Sequence, residues 1–241
     1  MEIKGSLGII GAMDSEVEHI LKKLGEYETV ELYGLKFYAS KKDGRDVILV
    51  RCGVGKVNAA RCAQLLIDRF GVKGIINSGI AGGVSPEMDV GDVVIATKLC
   101  QHDFDITAFG YAKGYLSTGE DGRYPTFFTA DSALSDAIFE SAKARVSENK
   151  IKRGVIASGD VFVSGKEQKK EISELFGASA VEMEGAAIAQ TAQYSGVPFA
   201  VLRVISDRAD GGAAESYETF EIETAKLSSE IINGLIAGMT A

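Results

Sequence analysis

Proline is scarce, with only Pro86, Pro125 and Pro198 in the chain, so few regular elements are interrupted. Histidine is scarcer still. His19 and His102 leave little room for a metal site, and although the run His102-Asp103-Phe104-Asp105 offers donors, no second cluster completes it. No metal and no cofactor are expected. Cys52, Cys62 and Cys100 are odd in number, widely spaced and set among apolar residues, unlike a disulfide scaffold or a zinc ribbon. They read as reduced core residues of a cytoplasmic protein. Basic residues fall short of acidic ones, 26 against 34, for a formal charge of −8. Such a balance repels a phosphate backbone, and the short clusters Lys41-Lys42 and Lys166-Glu167-Gln168-Lys169-Lys170 read as solvated faces. No nucleic-acid partner is expected. No apolar run approaches the roughly 20 residues of a membrane helix, and the start, Met1-Glu2-Ile3-Lys4-Gly5, lacks the basic leader and apolar run of a signal peptide. The expectation is a soluble chain with no membrane partner.

What the chain does have is an ordinary globular composition, 46% hydrophobic and 25% charged over 241 residues. That length buries a sizeable core. Neither a linker nor a fixed repeat divides it, so 1–241 reads as one domain. Short β-rich runs alternate with longer helical patterns. The predicted strands are Leu7–Ala12, Leu35–Ser40, Asp46–Arg51, Gly74–Asn77, Asp92–Ala96, Gly154–Ala157, Ala178–Glu182 and Phe199–Ile205. Several are apolar throughout, as strands covered on both faces are. Predicted helices span Asp14–Leu24, Lys56–Phe70, Asp131–Val146, Glu167–Phe176, Glu184–Tyr194 and Tyr217–Ile236. The alternation predicts an α/β fold, a mixed central β-sheet flanked by helices. Between Gln101 and Thr129 the pattern gives way to aromatics and glycines without period, and a subunit contact is expected there.

Glycine and charge gather where strands end. Gly8 to Glu16, Arg51 to Asn58 and Asn77 to Gly83 each join a strand to a small-residue turn that brings backbone amides close to a ligand. None is a nucleotide fingerprint: Gly55-Lys56 is followed by Val57, and Val50 stands where a P-loop has its first glycine. Taken singly, these turns read more readily as plain connections. Two further segments are odder. Val181 to Ile188 sets Glu182 and Glu184 where an apolar strand hands over to a small-residue helix, and Phe199 to Asp207 sets Arg203 inside a buried-looking strand with Ser206-Asp207 at its end. Charges in such settings are paired or used. A dipole-stabilised carboxylate and a buried Arg203–Glu ion pair are the structural readings. Several acids at the strand ends of one sheet favour a site.

Seven segments, in order, carry a resemblance: Gly8-Ile-Ile-Gly-Ala-Met13 with Glu16, Gly53-Val-Gly-Lys56, Gly79-Ile-Ala-Gly-Gly83, Asp105-Ile-Thr-Ala-Phe-Gly110, Ser158-Gly-Asp-Val-Phe162, Val181-Glu-Met-Glu184 and Arg203-Val-Ile-Ser-Asp207. Over essentially the whole chain it resembles the 5′-methylthioadenosine/S-adenosylhomocysteine nucleosidases of the nucleoside phosphorylase/hydrolase superfamily. The resemblance implies a three-layer, nucleoside phosphorylase-like sandwich. It implies hydrolysis of the N-glycosidic bond of methylthioadenosine, S-adenosylhomocysteine and 5′-deoxyadenosine, as in methionine salvage and the recycling of S-adenosylmethionine by-products.

By that resemblance, Asp207 protonates adenine N7, Glu16 takes a proton from the attacking water, and Glu184 grips the ribose hydroxyls. Arg203 and Glu182 place the water and hold the carboxylates. Phe162 stacks on adenine, Val163 reads its edge through the backbone, and Ile80 and Ser206 border the substrate. Met13, Val54, Met183 and Tyr217 line the ribose and 5′-alkylthio pocket. Ile106 and Phe109 reach into the partner subunit's site, which implies a homodimer. Three departures bear on substrate preference more than on the reaction. Ile80 stands where many relatives carry a small hydroxyl residue, Tyr217 replaces the usual phenylalanine, and Gly211-Gly212-Ala213-Ala214 reads as a mobile lid. Three alternatives stay open: a phosphorylase with Arg51 and Lys56 in an anion site, a futalosine-type nucleosidase, and a nucleoside-binding protein without turnover.

Overall fold

Residues 7 to 11 are all buried, and alternate side chains meet different partners. Leu7 and Ile9 pack with Val17, Ile20, Leu134, Ile138, Ile231 and Ile232, while Ile10 packs with Ala59, Cys62, Leu66 and Ala186. The period of two thus assigns the two faces of a strand to two helical layers. The computed structural model describes residues 6–42, 45–117, 121–209 and 212–238. Its strands are β1 (Leu7–Gly11), β2 (Tyr27–Leu32), β3 (Leu35–Lys42), β4 (Arg45–Arg51), β5 (Gly74–Gly83), β6 (Val93–Gln101), β7 (Phe128–Thr129), β8 (Ile151–Ser158), β9 (Ala178–Glu182) and β10 (Phe199–Asp207). Its helices are α1 (Asp14–Lys23), α2 (Lys56–Phe70), α3 (Ser132–Lys143), α4 (Lys166–Phe176), α5 (Gly185–Tyr194) and α6 (Ala213–Gly238). Helices α1, α3 and α6 share one cluster with the sheet, α2 and α5 the other, and α4 covers a third built on β8 and β9. No described helix is long and apolar enough to cross a membrane.

The mixed α/β sheet is there, and half of it closes on itself. β5 pairs with β10 in parallel, β10 with β6 antiparallel, β6 with β8 and β8 with β9 in parallel, and β9 returns antiparallel to β5. Strands β1, β4, β3 and β2 extend from β5 as an open wing. β5 serves both parts because one of its edges is divided: Gly74 to Asn77 pair with β1, and Gly82 and Gly83 pair with β9.

β7 falls in the stretch read as aperiodic, and β6 runs on from Ala96 to Gln101 past a register shift; two further strands differ from the sequence expectation for physical reasons. β2 is an exposed edge strand whose residues are mostly polar, and it exists through its hairpin with β3 across Tyr33-Gly34, both at positive φ. β5 runs on through Ser78 to Gly83, a stretch whose glycines read as a turn, and all ten of its residues are buried.

Candidate active site

β1, β4, β8, β9 and β10 end around one cavity of about 420 Å³, with β5 along its floor. Its walls bring together Met13, Glu16, Val54, Ile80, Phe162, Glu182, Met183, Glu184, Ser206, Asp207 and Tyr217, residues drawn from the whole length of the chain. Val163 lines a small adjoining space of about 30 Å³ beside Phe162 and Asp207. Arg203 lies behind the wall, and Ile106 and Phe109 lie away from it, Phe109 being 80% exposed.

Glu16 sits in the first turn of α1 and turns back towards the chain that precedes it. Its Oε2 accepts the Ala12 N–H at 2.6 Å and the Met13 N–H at 3.1 Å, and its Oε1 accepts the Ile80 N–H at 3.1 Å. Burial pushes its pKa up, partly offset by the Arg203 guanidinium and these three amides. The Gly79 backbone makes the approach possible. A Cβ there would land on the Glu16 carboxylate and 3.1 Å from Arg203 Nη1.

Arg203 is the counter-charge for the acids around it. Its Nη2 donates to Glu182 and, at 2.5 Å, to Asn77 Oδ1, and lies 3.8 Å from Glu184 Oε2. Glu182 also accepts the Gly185 N–H at 2.7 Å and the Glu184 N–H at 3.1 Å on Oε2 and the Ser158 hydroxyl on Oε1, so both its oxygens are engaged within the protein. Glu184 is less committed. Its Oε1 accepts the Gly55 N–H at 2.9 Å, and burial together with the neighbouring Glu182 charge pushes its pKa up to about 8.

Asp207 owes its position to a bulge. Ile205 pairs with Ala81 and Asp207 with Gly82, leaving Ser206 as the extra residue and turning the Asp207 side chain into the cavity. Asp207 Oδ1 accepts the Ala209 N–H at 2.8 Å, and Oδ2 accepts the Ser206 hydroxyl at 2.9 Å. A Cβ on Gly82 would lie 2.9 Å from Asp207 Oδ1. Gly79 and Gly82 therefore leave room for carboxylates within a strand instead of forming a ligand-binding turn, which corrects the sequence reading of that motif.

The apolar wall is built by Phe162 and Tyr217, whose rings meet edge to face at 5.7 Å. The Tyr217 hydroxyl donates to Met13 Sδ at 3.2 Å, and burial pushes its pKa up to about 12. Ala12, Ala81, Gly82 and Val181 also line the cavity beside predicted site residues, and α6 adds two that were not predicted to do so, Ala214 and Glu218. Their signal was helical spacing, since Ala214 and Glu218 lie one turn apart in α6. Of the segment read as a lid, Gly211 lies outside the described residues, while Ala213 and Ala214 belong to α6.

The phosphorylase superfamily model matches residues 6–238. The chain belongs to the phosphorylase superfamily. Within the superfamily it is 40% identical over 231 residues to a Staphylococcus haemolyticus 5′-methylthioadenosine/S-adenosylhomocysteine nucleosidase, covering 95% of this chain and 98% of that one. It is 35% identical over 226 residues to a Campylobacter jejuni aminodeoxyfutalosine nucleosidase, covering 94% and 96%. Among solved structures of the superfamily, a mutant Helicobacter pylori nucleosidase with 5′-methylthioadenosine in its active site superposes with a TM-score of 0.89 at 34% identity, covering 96% of this chain and 98% of that one.

Proposed function

We propose that this phosphorylase-superfamily chain is a nucleosidase that uses water to cleave the N-glycosidic bond of 5′-methylthioadenosine and S-adenosylhomocysteine, releasing adenine. The observation that carries the reading is the charge of the cavity. Its described lining includes five acids (Glu16, Glu182, Glu184, Asp207 and Glu218) and no lysine, arginine or histidine. A phosphate dianion finds no cation among them to hold it, whereas the carboxylates that remain ionised stabilise an electron-poor ribosyl cation. The two cations considered for an anion site are engaged elsewhere. Arg51 Nε lies 3.1 Å from Asp14, and Lys56 Nζ lies 2.6 Å from Asp103. The nucleosidase relatives support the same choice.

Asp207, at the end of the cavity beside Phe162, donates a proton to adenine N7 as the base leaves. Glu16 receives the proton of the attacking water, and Glu184 holds the ribose hydroxyls. Acid and base assistance of this kind is worth about 10²–10⁴-fold for each group. Arg203 acts through Glu182 and Glu184 and touches no substrate. Ile80 offers the ribose a buried apolar side chain, its N–H being spent on Glu16. Met13, Val54, Met183 and Tyr217 receive the 5′ substituent.

Ile106 and Phe109 complete the site of a second copy in a homodimer, a reading supported by the exposure of Phe109. Three free, buried thiols support a cytoplasmic setting. A second substrate reading, an aminodeoxyfutalosine-type nucleoside, is favoured by the Campylobacter relative. Chromatography of adenine released from methylthioadenosine, with and without phosphate, tests the proposal. Release in phosphate-free buffer, lowered about 10²-fold or more by Asp207→Asn, is the expected result. Release only with phosphate makes the chain a phosphorylase, and release only from the futalosine-type nucleoside moves the specificity.

A further inference from the structure

The glycine turn between β4 and α2 is gripped from two sides by carboxylates. The Gly55 N–H donates to Glu184 Oε1 at 2.9 Å, and the next amide, Lys56 N–H, donates to Asp160 Oδ1 at 2.8 Å. Both amides lie at the start of α2, where no intrahelical acceptor exists and the positive end of the helix favours negative charge. Gly55 has φ +99°, and a Cβ there would lie 3.1 Å from Asp160 Oδ1, so only glycine lets the turn pass between the two acids.

The Lys56 side chain then bends away from the cavity. Its Nζ donates to Asp103 Oδ1 at 2.6 Å and to Gln101 Oε1 at 3.0 Å, and lies 3.9 Å from Asp160 Oδ2. The Asp160 N–H closes the circuit by donating to Asp103 Oδ2 at 2.8 Å. Burial alone would raise the Asp103 carboxyl, yet these bonds hold it below its ordinary range. With its side chain only 16% exposed, Lys56 is far better shielded than the open ion pairs of the surface, so the cluster holds a geometry that those pairs do not.

We infer that Lys56 and Asp160 are positioning residues for the reaction, an inference that rests on the nucleosidase reading. Two parts of the pocket and the segment carrying Ile106 and Phe109 converge on them. The Gly55 amide fixes Glu184, which holds the ribose; Asp160 lies two residues before Phe162, the platform for the base; and Asp103 opens the segment carrying Ile106 and Phe109. One ammonium group outside the cavity sets the spacing between ribose clamp and base platform.

The variants Lys56→Met, Lys56→Arg and Asp160→Ala test this in the full chain, by amide hydrogen exchange and by steady-state kinetics on methylthioadenosine. In Lys56→Met, exchange rises together in 53–57, 101–105 and 159–163 and stays at its wild-type rate elsewhere. KM rises about tenfold while kcat falls less than about threefold, the signature of a loosened binding geometry. Lys56→Arg restores most of the KM, and the double variant Lys56→Met/Asp160→Ala is no worse than Lys56→Met alone, because both break one network. Exchange that rises in only one segment, or uniformly through the chain, overturns the inference, as does a wild-type KM. A wild-type protein that releases no adenine from methylthioadenosine defeats the nucleosidase reading instead, and the exchange pattern still decides whether the segments are coupled.

Discussion

Glu184 and Glu16 are buried carboxyls whose pKa values lie above the ordinary 4.5, Glu184 at about 8. Each binds its proton more tightly folded than unfolded. Between the ordinary carboxylate range and about pH 8 the folded state therefore carries the extra protons, and stability falls as pH rises through that window. The expected outcome is a melting temperature that declines from about pH 5 to about pH 8, with a shallower decline in Glu184→Gln, which has nothing to titrate. An unchanged slope in that variant, followed by thermal melts across the range, contradicts the assignment. At this scale the sequence was informative about identity and silent about state. An acid after an apolar strand is conspicuous in Val181-Glu182-Met183-Glu184, but which of the two acids is held by more hydrogen bonds depends on Ser158, Gly55 and Arg203, elsewhere in the chain.

At the scale of elements, β5 and β10 create the site. Their parallel register sets Arg203 opposite Gly79 and Asp207 opposite Gly82. The two glycines give the Glu16 and Asp207 carboxylates the space a side chain would occupy. Gly79→Ala is expected to leave the fold intact but push Glu16 from its three amides, and displacement of a catalytic group by about 1 Å can cost about 10²-fold in rate. Adenine release that falls by that order, with a circular dichroism spectrum like the wild type, is the expected result; wild-type turnover removes the argument from close approach. Most strands and all six helices were legible in hydrophobic period, with ends misplaced by a few residues. β5 was half missed because glycine reads as a turn wherever the neighbouring strands are unknown. β2 was missed because an exposed edge strand carries little apolar signal and takes its conformation from its partner.

For the whole molecule, the exposed apolar side chains ask for a partner. Phe109 and Val57 are each 80% exposed, Tyr124 66% and Tyr194 60%, in a chain whose core is otherwise well buried. A dimer in sedimentation velocity is expected, and Phe109→Ser is expected to weaken it and raise the KM for methylthioadenosine about tenfold, as loss of a central apolar anchor does. A fully active monomer contradicts the shared-site proposal. The aromatic stretch from 101 to 129 was read from the sequence as a subunit contact; the chain itself buries Tyr115 and Phe128 of it and leaves Phe109, Tyr111 and Tyr124 exposed. Its own chain places Ile106 and Phe109 away from the cavity.

The layered α/β class was readable from the sequence alone, because strands covered on both faces are apolar at every position, and so were the acids that stand out at the ends of such strands, where charge is rare. Which of those acids share one cavity, and which distant backbone each is paired with, follows from the fold and not from the local pattern. Glu16 meets the Ile80 amide 64 positions away, and Glu184 meets the Gly55 amide 129 positions away. Those meetings depend on strand register, on one bulge at Ser206 and on closure of five strands into a ring. Periodicity is a local property of a chain, whereas the pairing of a buried charge is settled by whichever distant backbone the sheet sets beside it.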